Sequence, residues 1–220
     1  MHVPSLECER VIVRPLELDD LGDIHRILDI ELGEVDAGPK PQARALGLPT
    51  IPRDERRRWL QWTVLGYEEF ARLHQPPYGE RAVVLKTTER LIGACGFVPC
   101  LDAFEQLPCL RTGPGRPAAV HATPEVGLFC AIAPAYQRQG YASEAARALV
   151  DFAFTRLRLK RIVATTTRDN VASMGVMRKL GMRIDENPLP DPPWLQVVGI
   201  LENRQGHDTG DGGIAQGIRE

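Results

Sequence analysis

Short apolar, β-branched runs alternate with longer segments whose apolar positions recur every three to four residues, the pattern of strands interleaved with amphipathic helices. Residues 10–16 (RVIVRPL) predict a first strand. Asp19 and Asp20 then stand where they can cap a helix bearing Leu21, Ile24, Ile27 and Leu28 at helical spacing. Gly and Pro crowd residues 33–52 and predict an extended loop. A second helix is predicted over 54–74, carrying Trp59, Leu60, Trp62, Val64, Tyr67 and Phe70 and ended by Pro76-Pro77.

Two strands follow, 81–86 and 91–98, joined as an antiparallel hairpin through Thr87-Thr88-Glu89-Arg90. Residues 99–123 show no period and read as an irregular insertion. The clearest strand is 125–132 (EVGLFCAI), stopped by Pro134. A helix over 140–158 then aligns Ala142, Ala146, Leu149, Ala153 and Leu157 in one stripe. Next come a β-branched strand at 161–167 and a short helix at 171–180, which ends at Gly181 in the manner of a left-handed C-cap. Strands at 182–185 and 195–201 complete the order, and the polar, Gly-rich residues 202–220 are expected to form a disordered tail.

The order β-α-α-β-β-β-α-β-α-β-β predicts an α/β protein of the α+β type. Its sheet is expected to be mixed and largely antiparallel, with about seven strands and about four flanking helices in a single domain over 1–201. The long helix joins two strands as a β-α-β crossover, which demands a parallel pair inside that sheet.

Composition narrows the function classes. A formal net charge of -2 gives no global attraction to nucleic acid or an anionic membrane surface, so neither is expected as a partner. Cys8, Cys95, Cys100, Cys109 and Cys130 are odd in number and contain no CxxC pair. His2, His25, His74, His121 and His207 lack ligand spacing, so no metal is expected and each is read as structural or solvated. The first residues lack the pattern of a signal peptide and no apolar stretch reaches spanning length, which gives a reduced, cytoplasmic protein as the expectation.

The chemistry concentrates in residues 125–144 (EVGLFCAIAPAYQRQGYASE), which read strand, tight loop, helix. A helix N-terminus offers unpaired N–H groups and the positive end of a dipole, a natural seat for phosphate. Gly140 allows close backbone approach, Ala142 keeps the first turn small, and Arg138 can add a charge-assisted contact. Neither G-x-G-x-x-G after the strand nor G-x-x-x-x-G-K-[ST] is present.

Gln137-x-x-Gly140-x-Ala142 resembles the Q/R-x-x-G-x-G/A signature of the GNAT N-acetyltransferase superfamily. Arg161-Ile162-Val163-Ala164, Asn170-Val171-Ala172-Ser173 and Lys179-Leu180-Gly181-Met182 follow in the family's order and spacing. The segments ERVIVRPLELDDL and RLIGACGFV further resemble the branch that contains the ribosomal-protein N-terminal acetyltransferases.

The resemblance implies an enzyme that moves the acetyl group of acetyl-CoA, its co-substrate, to a primary amine by direct attack in a ternary complex. The amine would belong to a protein N-terminus or a small molecule, and the enzyme would be a monomer or homodimer. It implies a splayed parallel pair, here 125–132 and 161–167, whose open edge holds the pantetheine through the backbone of Cys130, Ala131 and Ile132. Arg138, Gln139, Gly140, Tyr141, Ala142 and Ser143 would surround the pyrophosphate, and Asn170 would contact CoA, besides capping the helix it precedes.

Glu125, at the place where related acetyltransferases often carry a glutamate, is the candidate general base; Ser173 is the candidate donor to the leaving sulfur, with water as its rival and the capping turn as its other role. Many members place a tyrosine where this chain has Met177, which cannot donate a proton. That departure keeps a second reading open, a GNAT-fold CoA-binding or regulatory protein with little turnover. On the acceptor side, Arg53, Arg56, Arg57 and Arg58 read as a solvated helix face and Trp59 and Trp62 as core.

Overall fold

A computed structural model describes residues 3–34, 51–111 and 121–203. The expected loop over 35–50, part of the insertion (112–120) and the tail from 204 lie outside the described residues. Eight strands form one sheet, in the order β1-β2-β3-β4-β5-β6-β8-β7. They are β1 (Leu6–Glu7), β2 (Val11–Pro15), β3 (Gly79–Leu85), β4 (Arg90–Asp102), β5 (Thr123–Ile132), β6 (Arg161–Thr166), β7 (Arg183–Glu186) and β8 (Val197–Glu202). Every neighbouring pair is antiparallel except β5 and β6.

Among the described residues, four helical segments cover the sheet. The first, α1, runs over 21–34 and passes from Leu21–His25 through a π-helical stretch, Arg26–Glu31, to Leu32–Glu34. The others are α2 (Arg53–Arg72), α3 (Tyr141–Thr155) and α4 (Val171–Leu180). None of the described helices is long and apolar enough to cross a membrane. Helices α3 and α4 pack on one face around Leu149, Ile162, Met177 and Leu180. On the opposite face α1 and α2 bury Ile24, Ile27 and Leu60 against Ala82, Ala94 and Ala131.

The expected mixed, largely antiparallel sheet is present, with one strand more than anticipated. The addition is β1, two residues long, which exists only through its pairing with β2 (Leu6↔Val13, Glu7↔Ile12). The insertion is shorter than 99–123. Strand β4 continues to Asp102 and β5 starts at Thr123, with the ladder unbroken from Gly93↔Ile132 to Asp102↔Thr123. Beyond Asp102 the insertion is anchored, because Phe104 and Leu107 (1% and 0% exposed) pack with Val163, Leu195, Val198 and Ile200 in a third apolar cluster.

Two expectations on α2 are corrected. Arg56 is no solvated side chain: it is 3% exposed and donates to both oxygens of buried Asp29 at 2.8 and 2.7 Å, with Trp59 beneath its guanidinium. Trp62 is no core residue. It is 61% exposed, with its ring edge-on to Phe70.

Candidate active site

The parallel pair decides the shape of the site. Strands β5 and β6 meet at a single register position, Gly127↔Val163, whereas β5 pairs along ten positions with β4 and β6 along six with β8. Each strand is thus held firmly by its outer neighbour and touches its parallel partner at one point. Past that point they diverge, leaving backbone groups along both inner edges in need of partners.

The gap is a cavity of about 140 Å³ that passes through the sheet. On the α3/α4 side its walls are Leu128, Cys130, Ala142, Ala146, Ser173 and Met177. On the other side they are Val98, Cys100, Gly127, Phe129 and Thr165. Small residues at Ala142 and Ala146 allow α3 to approach without filling the gap. Gly127 does the same within the sheet.

At the open end the loop 133–140 turns the chain into α3. Gly140 takes the N-cap position at φ 89°, in the left-handed region that favours glycine, and no side chain caps the helix. The first-turn N–H groups therefore remain available to an anion. Arg138 is also left-handed (φ 60°) and exposed. Gln137, which belongs to the motif, serves the loop itself by donating from Nε2 to the Ile132 carbonyl at 2.9 Å.

Arg10, a residue that no local pattern singles out, braces this turn. Its guanidinium donates to the Gln139 carbonyl at 3.0 Å, lies over the Tyr141 ring at 4.5 Å and pairs with Glu144 at 2.7 Å. Glu144 also accepts the Arg10 N–H at 2.6 Å. Burial pushes its carboxyl upward, but these bonds from Arg10 outweigh it and leave the pKa lowered. The pair ties the start of β2 to the first turn of α3, across 134 residues of sequence.

The structure distributes the remaining candidates unevenly. Cys130 lines the cavity, with Sγ 3.8 Å from the Ala142 carbonyl oxygen. Ala131 and Ile132 are buried (4% and 5% exposed) with their side chains in the two cores. Asn170 caps α4: its Oδ1 accepts the Ser173 N–H at 3.0 Å. Ser143 and Tyr141 stand in the first turn of α3, and Ser173 is among the residues that line the cavity.

Glu125 is placed differently from expectation. It sits on the Gly127 face of β5 but outside the cavity walls, and both its oxygens accept from Arg161 at the start of β6. Opposite charges at the starts of two parallel strands close the cleft at its narrow end, so this carboxylate is engaged rather than free. That signal was present in the sequence, where both strands open on a charged residue.

Among the described residues, the cavity walls contain no carboxylate, imidazole or phenol. Cys130 and Cys100 are both wall thiols, and Cys100 is pushed up to about 11 by burial and by the neighbouring Asp102 and Glu125 carboxylates, so it stays protonated at neutral pH. Cys100 was missed by sequence reasoning because it fell in the insertion expected from residue 99, whereas Val98 lay in the expected strand 91–98 with no local signal of a wall.

Comparisons with known proteins agree with this geometry. A sequence profile of the acetyltransferase (GNAT) domain matches residues 10–183. YnaD, an uncharacterized N-acetyltransferase of Bacillus subtilis (strain 168), is 50% identical over 50 residues, a stretch covering 23% of this chain and 29% of that relative. YoaA, another uncharacterized N-acetyltransferase of the same organism, is 28% identical over 181 residues, 82% of this chain and 83% of the relative. The structure of RimL, a ribosomal L7/L12 α-N-protein acetyltransferase, in complex with coenzyme A is similar in fold. Its TM-score is 0.58 at 13% identity, with 89% of this chain and 95% of that one covered. The chain belongs to the GNAT acetyltransferase family.

Proposed function

We propose that this protein transfers the acetyl group of acetyl-CoA to a primary amine, the thioester entering from the α3/α4 side and the amine from the opposite face. One observation carries this reading: the cavity at the β5–β6 split runs through the sheet and ends, on the α3/α4 side, beside an uncapped helix N-terminus. Acetyl-CoA would supply the activated acyl group. The N–H groups from Gly140 to Ser143 and the Arg138 guanidinium would hold its pyrophosphate. Open backbone edges at and beyond Cys130 would pair with its amides as an added strand does.

The amine attacks directly, without an acyl-protein intermediate on Cys100, since a thiol with a pKa of about 11 is a poor nucleophile near pH 7. Ser173, bordering the cavity, donates a hydrogen bond to the departing sulfur, which leaves as the thiol with the proton that the nitrogen gives up as the amide forms. Glu125 clamps the narrow end through Arg161.

With no carboxylate or imidazole among the described residues of the cavity walls, the amine must be partly neutral beforehand. An α-amino group with a pKa of about 8 is roughly a tenth neutral at about pH 7, and a lysine at about 10.4 is below roughly 0.1%. An N-terminal or other weakly basic amine is therefore the favoured acceptor. The same bare walls favour the second reading, a CoA-binding protein with little turnover. Five free cysteines support a reducing compartment as the place of work.

Thiol release from acetyl-CoA across a panel of α-amines, lysine derivatives and small amines, with mass-spectrometric detection of the added acetyl group, tests both. Release with α-amines supports the transferase. Stabilisation by acetyl-CoA without release supports the binding protein, and neither effect would remove both.

A further inference from the structure

The acceptor-side mouth continues past the cavity walls. Along β4, Val98, Cys100 and Asp102 share one face of an unbroken ladder, opposite Gly127, Glu125 and Thr123. The first two line the cavity. At a strand rise of about 3.4 Å per residue, Asp102 lies about 7 Å further out on the same side. Its carboxylate is close enough to the cavity to act on the Cys100 thiol.

The two carboxylates at this end are not equivalent. Glu125 is matched by Arg161. Asp102 accepts a hydrogen bond on Oδ1 from the indole N–H of Trp194 at 2.8 Å, and among the described residues no arginine, lysine or histidine forms an ion pair with it. An indole N–H satisfies one oxygen but leaves the negative charge uncancelled.

Trp194 is 64% exposed, yet it does not hang on a loose loop. The next residue, Leu195, is fully buried in the third apolar cluster. Asn187, also fully buried, donates to Gln106 Oε1 at 2.7 Å, and Arg168 donates to the Asn187 carbonyl at 2.7 Å. Pro188, Pro190, Pro192 and Pro193 restrict the backbone between these anchors. A large aromatic surface is thereby held in water beside an unmatched carboxylate. Ordering such a ring costs little on binding because the fold has already done it.

We infer that Asp102 and the exposed face of Trp194 form the subsite that receives the acceptor as its ammonium ion, before the amine loses a proton to solvent and enters the cavity. This rests on the acetyl-transfer reading for its biological sense, but the subsite itself is defined by charge and can be measured without turnover. A carboxylate beside an aromatic face is suited to a primary ammonium, which donates to the oxygen and lies against the ring. Asp102 Oδ2 and the Trp194 face are the contacting groups.

The test is calorimetric titration of trialanine amide and of its N-acetylated counterpart into the full-length protein with CoA present. The free-amine peptide should bind at least about tenfold more tightly. Asp102→Asn should bring the two affinities within about twofold, and Trp194→Leu should weaken the preference, while CoA affinity stays unchanged in both. In turnover with an α-amine, Asp102→Asn should raise KM with kcat at saturation preserved. Equal binding of the two peptides by the wild type, binding of neither, or a preference that survives Asp102→Asn would overturn the assignment. Absence of thiol release would remove acetyl transfer while leaving the charge preference intact, so the two ideas fail separately.

Discussion

Gly127 lies so tightly beneath Cys100 that a Cβ on it would overlap Cys100 Sγ and stand 2.9 Å from Val98 Cγ2 and 3.1 Å from the Val98 carbonyl oxygen. This is the one position at which β5 pairs with β6, so any displacement here moves the cleft. Gly127→Ala should destabilise the protein by about 1–3 kcal/mol through overpacking and lower kcat/KM for the amine about tenfold or more. Thermal unfolding and steady-state kinetics read both. Adding Cys100→Ala should recover part of each loss by removing the sulfur, though not the part due to Val98.

The Glu125–Arg161 pair makes opposite predictions for two roles. A general base contributes about 10²–10⁴ in rate. A clamp contributes stability, and its loss leaves a partly buried group without its partner at about 1–3 kcal/mol. Glu125→Gln should lower the melting temperature and reduce turnover by less than about tenfold, and Arg161→Gln should do the same. The double variant should cost about as much as either single one. A loss of about a hundredfold or more in Glu125→Gln, with turnover kept in Arg161→Gln, would return Glu125 to the role of base.

What was legible in the sequence was whatever local chemistry decides. Asn170 before an apolar period and Gly181 after it bound α4 at Val171–Leu180 because capping is a matter of neighbouring residues. The turn into α3, with Gly140 at its N-cap, was legible for the same reason. Pro99 and Pro124 locally signalled loop, but pairing along β4 and β5 overrode that signal and carried both into the ladder. Arg56 looks like the other arginines around it, and only Asp29, 27 residues earlier, makes it a buried group. Likewise Arg10 became part of the site through a partner 134 residues away.

Asp29 gives the fold a pH dependence. Burial alone would raise its carboxyl, yet hydrogen bonds from Arg56, His25 and the Ile51 N–H outweigh that and lower it. A depressed carboxylate stabilises the folded state above its unfolded pKa, near about 3.9, and that contribution is lost as pH falls through the folded value. Arg56→Met leaves the charge buried and should cost about 3–5 kcal/mol at neutral pH, whereas Arg56→Met with Asp29→Leu should recover most of it. Denaturant melts at about pH 7 and about pH 3 should show a smaller acid loss in the double variant than in the wild type.

Gly140 tests the cofactor end. At saturating acetyl-CoA, about a hundred times Kd, binding adds about 2.7 kcal/mol of stability. For a chain of this size that is a rise of about 5–10 °C in melting temperature. Gly140→Asp places a side chain at φ 89° and a negative charge on the first turn of α3. The rise should vanish, while the Asp102→Asn variant should keep it.

Ser173 separates structure from chemistry within one residue. The N-cap bond of α4 uses its backbone N–H, which Asn170 accepts at 3.0 Å, and does not involve its hydroxyl. Ser173→Ala therefore retains the cap and should leave the melting temperature and acetyl-CoA affinity near wild type. If the hydroxyl donates to the leaving sulfur, kcat should fall by about 10²-fold or more, as for loss of a general acid. Asn170→Ala is the converse: it removes the cap, at about 1 kcal/mol, and keeps the hydroxyl. A Ser173→Ala enzyme with wild-type kcat would assign the proton to water.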